Sequence, residues 1–310
     1  MMDKRLIKGN IILWSVVLVI AIAVFVAFAR GNYCNPFGFP FNMKTANRSQ
    51  FVVVKEQSIK NDTHNINDVT VDWISGNVDI FKSENNEIKI VQLAGEKFSD
   101  NDLFSYKIRG GKLSVIDERK GKTSIGFNFN NFNNGSDLEI YLPEKEFNSI
   151  RINTVSSDIT SESLNTEILT FSTTSGDVIL SGKFSEVDVK TVSGDIRAEN
   201  LDVQRIALDT TSGDISLTGS LTELDINTIS GDAKVYSSDM IKNVKSNAVS
   251  GNVTIAIPEN DGFTIDFSKV SGNLKSDFAL VTNGNRHSYK DGTARFSANS
   301  VSGNFTIFKR

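Results

Sequence analysis

The sequence contains very little cysteine, histidine or proline, and this scarcity excludes several kinds of site. Of the 310 residues, one is Cys, two are His and four are Pro. One cysteine excludes an internal disulfide and a Cys-rich metal centre, and His64 and His287 are too far apart in sequence to predict a His-based zinc site. The 33 basic side chains form no stripe and are outnumbered by 37 acidic ones, which argues against nucleic-acid binding. We therefore expect no metal, no cofactor and no nucleic-acid partner.

The longest uncharged run lies near the N-terminus and predicts a transmembrane helix. Residues 11–29 carry no charge, and about 20 apolar residues are what a helix needs to cross a hydrocarbon core of ~30 Å. The alternative is a cleaved secretory signal, because Ala27-Phe28-Ala29 resembles a cleavage site. The run is longer than the usual signal core of roughly 7 to 15 residues, which favours an uncleaved anchor. In either case the rest of the chain is expected to leave the cytoplasm.

These features predict a single-pass protein of the cell membrane whose C-terminal domain is extracytoplasmic. The short basic N-terminus favours the orientation with this end inside. Cys34 follows no lipobox and is interpreted as a lone juxtamembrane thiol. The predicted segments are a cytoplasmic N-terminus at 1–10, the transmembrane helix at 11–29, a juxtamembrane tether at 30–50, an N-terminal β region at 51–146 and a repeat solenoid at 147–310.

A short motif recurs through the chain at a nearly constant spacing. Ser-Gly followed by Asp or Asn occurs eight times, and Ser156-Ser157-Asp158 lies in the same register without the glycine. From Ser156 onward the spacings are 19, 18, 19, 18, 20, 21 and 31 residues. The copies with glycine begin at Ser75, Ser175, Ser193, Ser212, Ser230, Ser250, Ser271 and Ser302. Such self-similarity is typical of repeat architectures.

The residues on both sides of the motif alternate between inward and outward character. Before Ser175, the inward positions are Leu169, Phe171 and Thr173, and after it they are Val178 and Leu180. A period of two predicts a strand with one buried face on each side of the motif. The residue just before each Ser is Val, Thr or Ile, which disfavours helix, and no amphipathic helix is indicated after residue 50.

The motif itself has the chemistry of a turn. Gly permits a positive φ, and Ser, Asp and Asn side chains bond nearby backbone groups. A unit of two short strands cannot bury its own apolar face, so the copies must stack, each strand pairing with its equivalent in the next turn. We therefore predict an all-β fold, a single-stranded β-helix (β-solenoid) with turns of about 19 residues. The predicted structural turn residues are Ser175, Gly176, Asp177, Ser193, Gly194, Asp195, Ser212, Gly213, Asp214, Ser230, Gly231 and Asp232.

The last interval departs from the period and predicts a modified end. It contains a polar insertion at residues 282–287, which is expected to project as a loop. In the preceding copy Lys269 takes the place of an inward Thr, so the Thr column is expected to end there. Residues 263–310 are therefore interpreted as a capping end of the stack.

The candidate chemistry of the stack is limited. Asp177, Asp195, Asp214 and Asp232 are expected in one column, where they could hold calcium or serve their own turns; Asn in other copies favours the turn role. No Ser of the motif has a spaced His partner, and no cluster of titratable residues stands out of phase with the repeat. We predict no catalytic, cofactor-binding or metal-binding residues.

Beyond these patterns, one stretch of the sequence has a family likeness. The strand LEIYLP at residues 138–143, followed by FNSIRI at 147–152 and serial Ser-Gly-Asp turns, resembles the bacterial putative-adhesin β-repeat family. Members include LiaG-like cell-envelope proteins, and the family belongs with the toast-rack domains found near phage-shock-type membrane-stress proteins. The resemblance covers roughly residues 51 to 310. It implies a single-stranded β-helix on a membrane anchor with an adhesive or envelope-stress role, and it supplies no catalytic residues.

Three functions follow as hypotheses. The leading one is a membrane-anchored, extracytoplasmic solenoid that contacts envelope polymer or membrane-stress partner proteins through exposed ladders of Ser, Thr, Asp and Asn. The second is a glycan-active β-helix enzyme. The third is an envelope scaffold that self-assembles through the solenoid ends.

Overall fold

The computed structural model describes residues 50–60, 65–119 and 135–310, and strands dominate all three ranges. The predicted cytoplasmic N-terminus, transmembrane segment, Cys34 and His64 lie outside them, as does nearly all of the predicted tether. Among the described residues, no helix has the length and apolarity needed to span a bilayer. One short 3-10 helix occupies Asp100–Asp102.

The strands run in the following order along the chain. They are β1 (Phe51–Lys60), β2 (Asp68–Asp72), β3 (Val78–Lys82), β4 (Glu87–Gly95), β5 (Ser105–Arg109), β6 (Lys112–Ile116), β7 (Asp137–Leu142), β8 (Phe147–Asn153), β9 (Ile159–Ser175), β10 (Val178–Ser193), β11 (Ile196–Ser212), β12 (Ile215–Ser230), β13 (Ala233–Ser237), β14 (Asn243–Ser250), β15 (Val253–Ile257), β16 (Gly262–Ser271), β17 (Leu274–Ser276), β18 (Val281–Asn283), β19 (Arg286–Lys290), β20 (Ala294–Ser302) and β21 (Phe305–Lys309).

The repeats stack as parallel rungs. We call the strand before a motif, its turn and the strand after it a rung, named by the motif serine. Equivalent residues are in register from one rung to the next, so that Ser175 pairs with Ser193, Ser193 with Ser212 and Ser212 with Ser230. The strands before the turns form one ladder and those after the turns form another. The fold is thus all-β with an open sheet, in keeping with the β-solenoid that the repeat predicts.

The inward positions of both ladders form one hydrophobic core. Leu208 and Ile226, which the alternation assigns to the interior, are 0% exposed. Burial of a side chain of this size contributes about 1.5–3 kcal/mol. The inward threonines are also buried, at 3–6% exposure, and they are Thr173, Thr191, Thr210 and Thr228. In the central rungs, the period of two therefore predicts correctly which face of each strand is buried.

At both ends of the stack, the order of rungs in space differs from their order in the chain. β20 pairs with β14 on one side and with β16 on the other, so the Ser302 rung lies between the Ser250 and Ser271 rungs. Likewise, β2 lies between β6 and β8. The expectation that residues 263–310 form a capping end therefore needs correction, because the Ser271 rung is terminal and the Ser302 rung is internal.

The polar insertion in the last interval is a hairpin and does not project as a loop. β18 pairs with β19, and β19 adds to the stack by pairing antiparallel with β16. Gly284, with φ +61°, supplies the left-handed backbone that a tight hairpin turn requires. The residues of both hairpin strands are exposed or half-buried, and their polar character reflects the position of the hairpin at the exposed end of the stack.

The opposite end of the stack carries antiparallel strands on both ladders. β4 pairs with β1 and β7, and β5 pairs with β6. The two predicted β segments of the chain are joined in one sheet, because β2 and β3 pair with β8 and β9. Antiparallel additions of this kind cover the parallel edges that would otherwise be open to further pairing.

Candidate functional site

The acidic residues of the motif form a continuous column in which each side chain is used by the next rung. Oδ1 of Asp177 accepts the backbone N–H of Asp195 at 2.8 Å, and Oδ1 of Asp195 accepts that of Asp214 at 2.9 Å. Asn252 continues the series with the same geometry, since its Oδ1 accepts the N–H of Asn304 at 3.1 Å. One oxygen is enough for this bond, so Asp and Asn are interchangeable in it.

The motif glycines lie where any side chain would collide with the neighbouring rung. Gly176, Gly194, Gly213 and Gly231 have φ between +137° and +154°. A Cβ at Gly176 would be 2.0 Å from the carbonyl oxygen of Ser157. Ser157 itself, in the glycine position of the variant copy, keeps a negative φ and is buried. The turn residues thus have a structural task that leaves their backbone atoms little freedom.

The motif column has no arrangement suited to a metal ion. In the ranges that the structure describes, no group of three or more His, Cys, Asp or Glu side chains is placed to hold one. His287 lies on β19, where its Nδ1 is 2.9 Å from the Thr282 hydroxyl. Burial lowers the pKa of His287, nearby Lys269 lowers it further, and Asp266 raises it.

The ladder of strands before the turns carries a broad polar surface on its outward side. We call this surface the polar face. It consists of the outward side chains three, five and seven residues before each of six motif serines, which are Ser193, Ser212, Ser230, Ser250, Ser271 and Ser302. Register pairing places these side chains in three columns across the rungs. Apart from Ala207, the face therefore presents polar or charged side chains at the strand spacing of ~4.8 Å.

The column nearest the turns is a hydrogen-bonded ladder of amides. Asn227 donates to Asp209 at 2.7 Å, Asn247 donates to Asn227 at 2.7 Å, and Asn299 donates to Asn247 at 2.9 Å. Each amide is fixed by its neighbours, so the side chains lose little further rotamer freedom when a partner binds.

The other two columns carry ion pairs between neighbouring rungs. Arg205 Nε donates to Glu223 at 3.0 Å, and Lys245 Nζ lies 3.3 Å from Asp225. The bond from Arg205 lowers the pKa of Glu223, and a second bond from Asn243 lowers it further. The pairs hold their partners in place, and the polar face as a whole carries six acidic and four basic side chains.

A groove of about 410 Å³ lies on the polar face near the inserted Ser302 rung. We call it the groove; its outward side chains are Arg205, Glu223, Asp225, Asn243, Lys245, Asp266, Arg295 and Ser297. They provide three cations, three carboxylates, an amide and a hydroxyl. Because these side chains come from five strands, the stack itself gives the groove its shape.

A smaller hollow of about 190 Å³ lies on the outward side of the other ladder. It borders the motif column at Asp195, Asp214 and Asp232. Oδ1 of each of these carboxylates accepts a backbone N–H, and Asp195 also binds Arg197 at 3.0 Å. These groups are less available to a ligand than those of the groove.

The residues named from the sequence and those that line the groove are different sets. The twelve predicted turn residues lie together at one corner of the stack. The groove residues were not predicted. Counting back seven from each motif Ser finds Arg205, Glu223 and Asn243, but Arg295 is their neighbour only because the Ser302 rung is inserted.

These features define an all-β repeat protein that carries a groove lined by charged and polar side chains on the outward side of one ladder. The chain belongs to the Toastrack DUF4097 family, whose model matches residues 66–308. This confirms the family resemblance of the sequence. A comparison with curated proteins gives no match.

Several solved structures are similar to this chain. One is a "putative adhesin" from Parabacteroides distasonis, with 11% identity, a TM-score of 0.46 and coverage of 82% of this chain and 96% of that one. A "putative lipid binding protein" from the same species has 15% identity, a TM-score of 0.45 and coverage of 83% and 96%. A "putative cell adhesion protein" from Clostridium sporogenes has 14% identity, a TM-score of 0.31 and coverage of 83% and 99%.

Proposed function

We propose that this chain is a non-catalytic interaction module of the cell envelope, which binds an extended polar polymer along its polar face. In this proposal residues 11–29 anchor it in the membrane as a single transmembrane helix, and residues 51–310 lie outside the cytoplasm as a single-stranded solenoid. A membrane-stress partner protein is the other occupant that the face would suit.

The observation that carries the proposal is the ordered polar face. Cross-rung bonds such as Asn247 to Asn227 and Arg205 to Glu223 hold its side chains in fixed positions at a regular spacing. A polymer that runs along the stack meets polar side chains at every rung, and a preorganised surface reduces the entropy lost on binding.

The same geometry favours binding over catalysis. Paired carboxylates perform acid and base chemistry when their environments separate their pKa values. In the groove two of the three carboxylates are instead paired with cations, Glu223 with Arg205 at 3.0 Å and Asp225 with Lys245 at 3.3 Å. The family membership is in keeping with a non-enzymatic role.

The test uses the full-length chain in detergent and purified envelope polysaccharides. We expect measurable binding in biolayer interferometry with no new reducing or unsaturated ends after long incubation. The double variant Arg205→Glu/Lys245→Glu places like charges beside Glu223 and Asp225 and should abolish binding. The matched control, Arg197→Glu on the other ladder, should leave it unchanged. Product formation would favour a glycan-active enzyme, and concentration-dependent filaments without polymer would favour a scaffold.

A separate experiment tests the anchor. In cells, the full-length chain should stay with the membrane after carbonate extraction, and external protease should reach residues 51–310. A variant without residues 2–29 should remain in the cytoplasm. Release of the processed protein from the membrane would instead favour a cleaved signal.

A further inference from the structure

We infer that the groove recognises an anionic, hydroxyl-rich chain, with Arg295 as the residue that binds its anionic group and Asp266 as an acceptor for a neighbouring hydroxyl. This inference rests on the proposed function and specifies its ligand class.

Arg295 differs from the other cations of the groove. Arg205 bonds to Glu223, and Lys245 bonds to Asp225. Within the described part of the chain, the guanidinium of exposed Arg295 makes no hydrogen bond or ion pair, although its backbone N–H is bonded to the carbonyl of Lys242. Its charge and its five N–H donors are therefore available to a ligand, and the planar fork of guanidinium matches carboxylate and phosphate oxygens in pairs.

Asp266 differs in the same way from the other carboxylates. Both oxygens of Glu223 are occupied, one by Arg205 and one by Asn243. Asp266 makes no side-chain hydrogen bond or ion pair among the described residues. An exposed, unengaged carboxylate accepts hydrogen bonds from hydroxyl groups.

The two unengaged groups lie on adjacent strands at a fixed offset. Asp266 is in register with Ser297, which is two residues after Arg295 on β20. A strand spacing of ~4.8 Å and a two-residue rise of ~6.6 Å place their Cα atoms about 8 Å apart. This separation suits one unit of a chain that carries an acidic group and a hydroxyl.

The side chains beside Arg295 favour the same class of ligand. Asn243 and Ser297 add an amide and a hydroxyl beside Arg295. No aromatic side chain lies on the outward surface of the groove, since Phe296 is 1% exposed and points into the core. Recognition would therefore depend on charge and hydrogen bonds, and stacking on a sugar ring would contribute little.

Carboxylate and phosphate share this chemistry, so the test includes both sources. The full-length chain in detergent is titrated with a polyuronate, a poly(glycerol phosphate) and a neutral dextran, at two salt concentrations. We expect at least one anionic polymer to bind more tightly than dextran and more weakly at high salt. Arg295→Gln should weaken that binding about 10-fold or more, whereas Arg197→Gln, the control on the other ladder, should change it less than about 2-fold. Asp266→Asn tests the acceptor and should reduce the affinity several-fold.

The outcomes separate this inference from the proposed function. If dextran binds as tightly as the anionic polymers, or if Arg295→Gln binds like the native chain, the inference is wrong and the envelope-binding function remains. If none of the three polymers binds the chain, the proposed function is wrong as well. Circular dichroism of each variant establishes that the stack is intact, which is expected because both arginines are exposed.

Discussion

A methyl group at Gly194 would lie 2.1 Å from the carbonyl oxygen of Gly176 in the neighbouring rung. The same approach recurs along the motif column, as between Gly213 and the carbonyl of Gly194 at 2.0 Å. The neighbour is backbone held in a ladder, so it cannot move aside without breaking bonds on both sides. Glycine is therefore required at Gly194 for two reasons, which are the short distance to the neighbouring rung and the positive φ of the backbone.

We expect Gly194→Ala to destabilise the fold by about 2 to 4 kcal/mol, from left-handed strain and overpacking together. Chemical denaturation followed by circular dichroism measures this change. Gly95→Ala is the matched control, because a methyl group added at Gly95 would have no atom within 4 Å and the residue has no positive φ. It should change stability by no more than about 0.5 kcal/mol. Equal effects of the two substitutions would contradict the explanation.

The acidic column gives a second prediction. Oδ1 of Asp214 accepts the N–H of Asp232 at 2.8 Å. Asp214→Asn keeps this acceptor and should change stability by less than about 0.5 kcal/mol, while Asp214→Ala removes it and should cost about 1 kcal/mol. Urea denaturation of both variants checks the difference. A large loss in Asp214→Asn would show that the charge itself matters, contrary to the hydrogen-bond role.

How much of the fold and of the groove the sequence predicts depends on how far apart in the chain the interacting residues lie. The alternation around Leu208 and Ile226 reflects a local period of two, so the sequence alone predicts which face is buried. The turn chemistry of the motif is equally local. The groove is different, because Arg295 reaches its neighbours through an order of rungs that no local pattern encodes.

Rung order is the third prediction. Asn247 is in register with Asn299, and Asn299 is in register with Ser268. Adjacent rungs have Cα atoms ~4.8 Å apart, within disulfide range, whereas two rungs are ~9.6 Å apart and outside it. In a Cys34→Ser background, Asn247→Cys/Asn299→Cys should oxidise to an intramolecular disulfide. Mass spectrometry of the oxidised, digested protein detects the linked peptides.

The chain-order alternative gives the opposite result. If the rungs followed the sequence, Asn247 and Ser268 would be adjacent, and Asn247→Cys/Ser268→Cys would form the bridge. We expect this second pair to remain reduced under the same oxidant. Both pairs lie on the same outward column, so differences in exposure cannot account for a difference in oxidation. The parallel pattern of the motif is compatible with either order, which is why the sequence did not distinguish them.

A cluster of hydrogen bonds around Glu259, at the end of the stack that holds the Ser271 rung, gives a prediction about stability in acid. Glu259 precedes β16 and accepts hydrogen bonds from Lys290 on β19 at 2.7 Å, from Lys309 on β21 at 2.6 Å and from the Tyr289 hydroxyl at 2.5 Å. These contacts connect the terminal rung, the hairpin and the inserted rung. In that order of size, the bonds from Lys290, Lys309 and Tyr289 lower the pKa of Glu259 from 4.5 to about 2.

A carboxyl with a lower pKa in the folded chain than in the unfolded one stabilises the fold when ionised. Its contribution is therefore complete above the unfolded value of 4.5 and is lost as the pH falls towards about 2. The difference in unfolding free energy between the native chain and Glu259→Gln should be constant above about pH 5.5 and shrink progressively below it. Urea titrations at several pH values measure it, with Glu96→Gln, at an exposed residue just after β4, as the control. A difference that stays constant down to pH 2 would mean that the carboxylate does not hold these strands together.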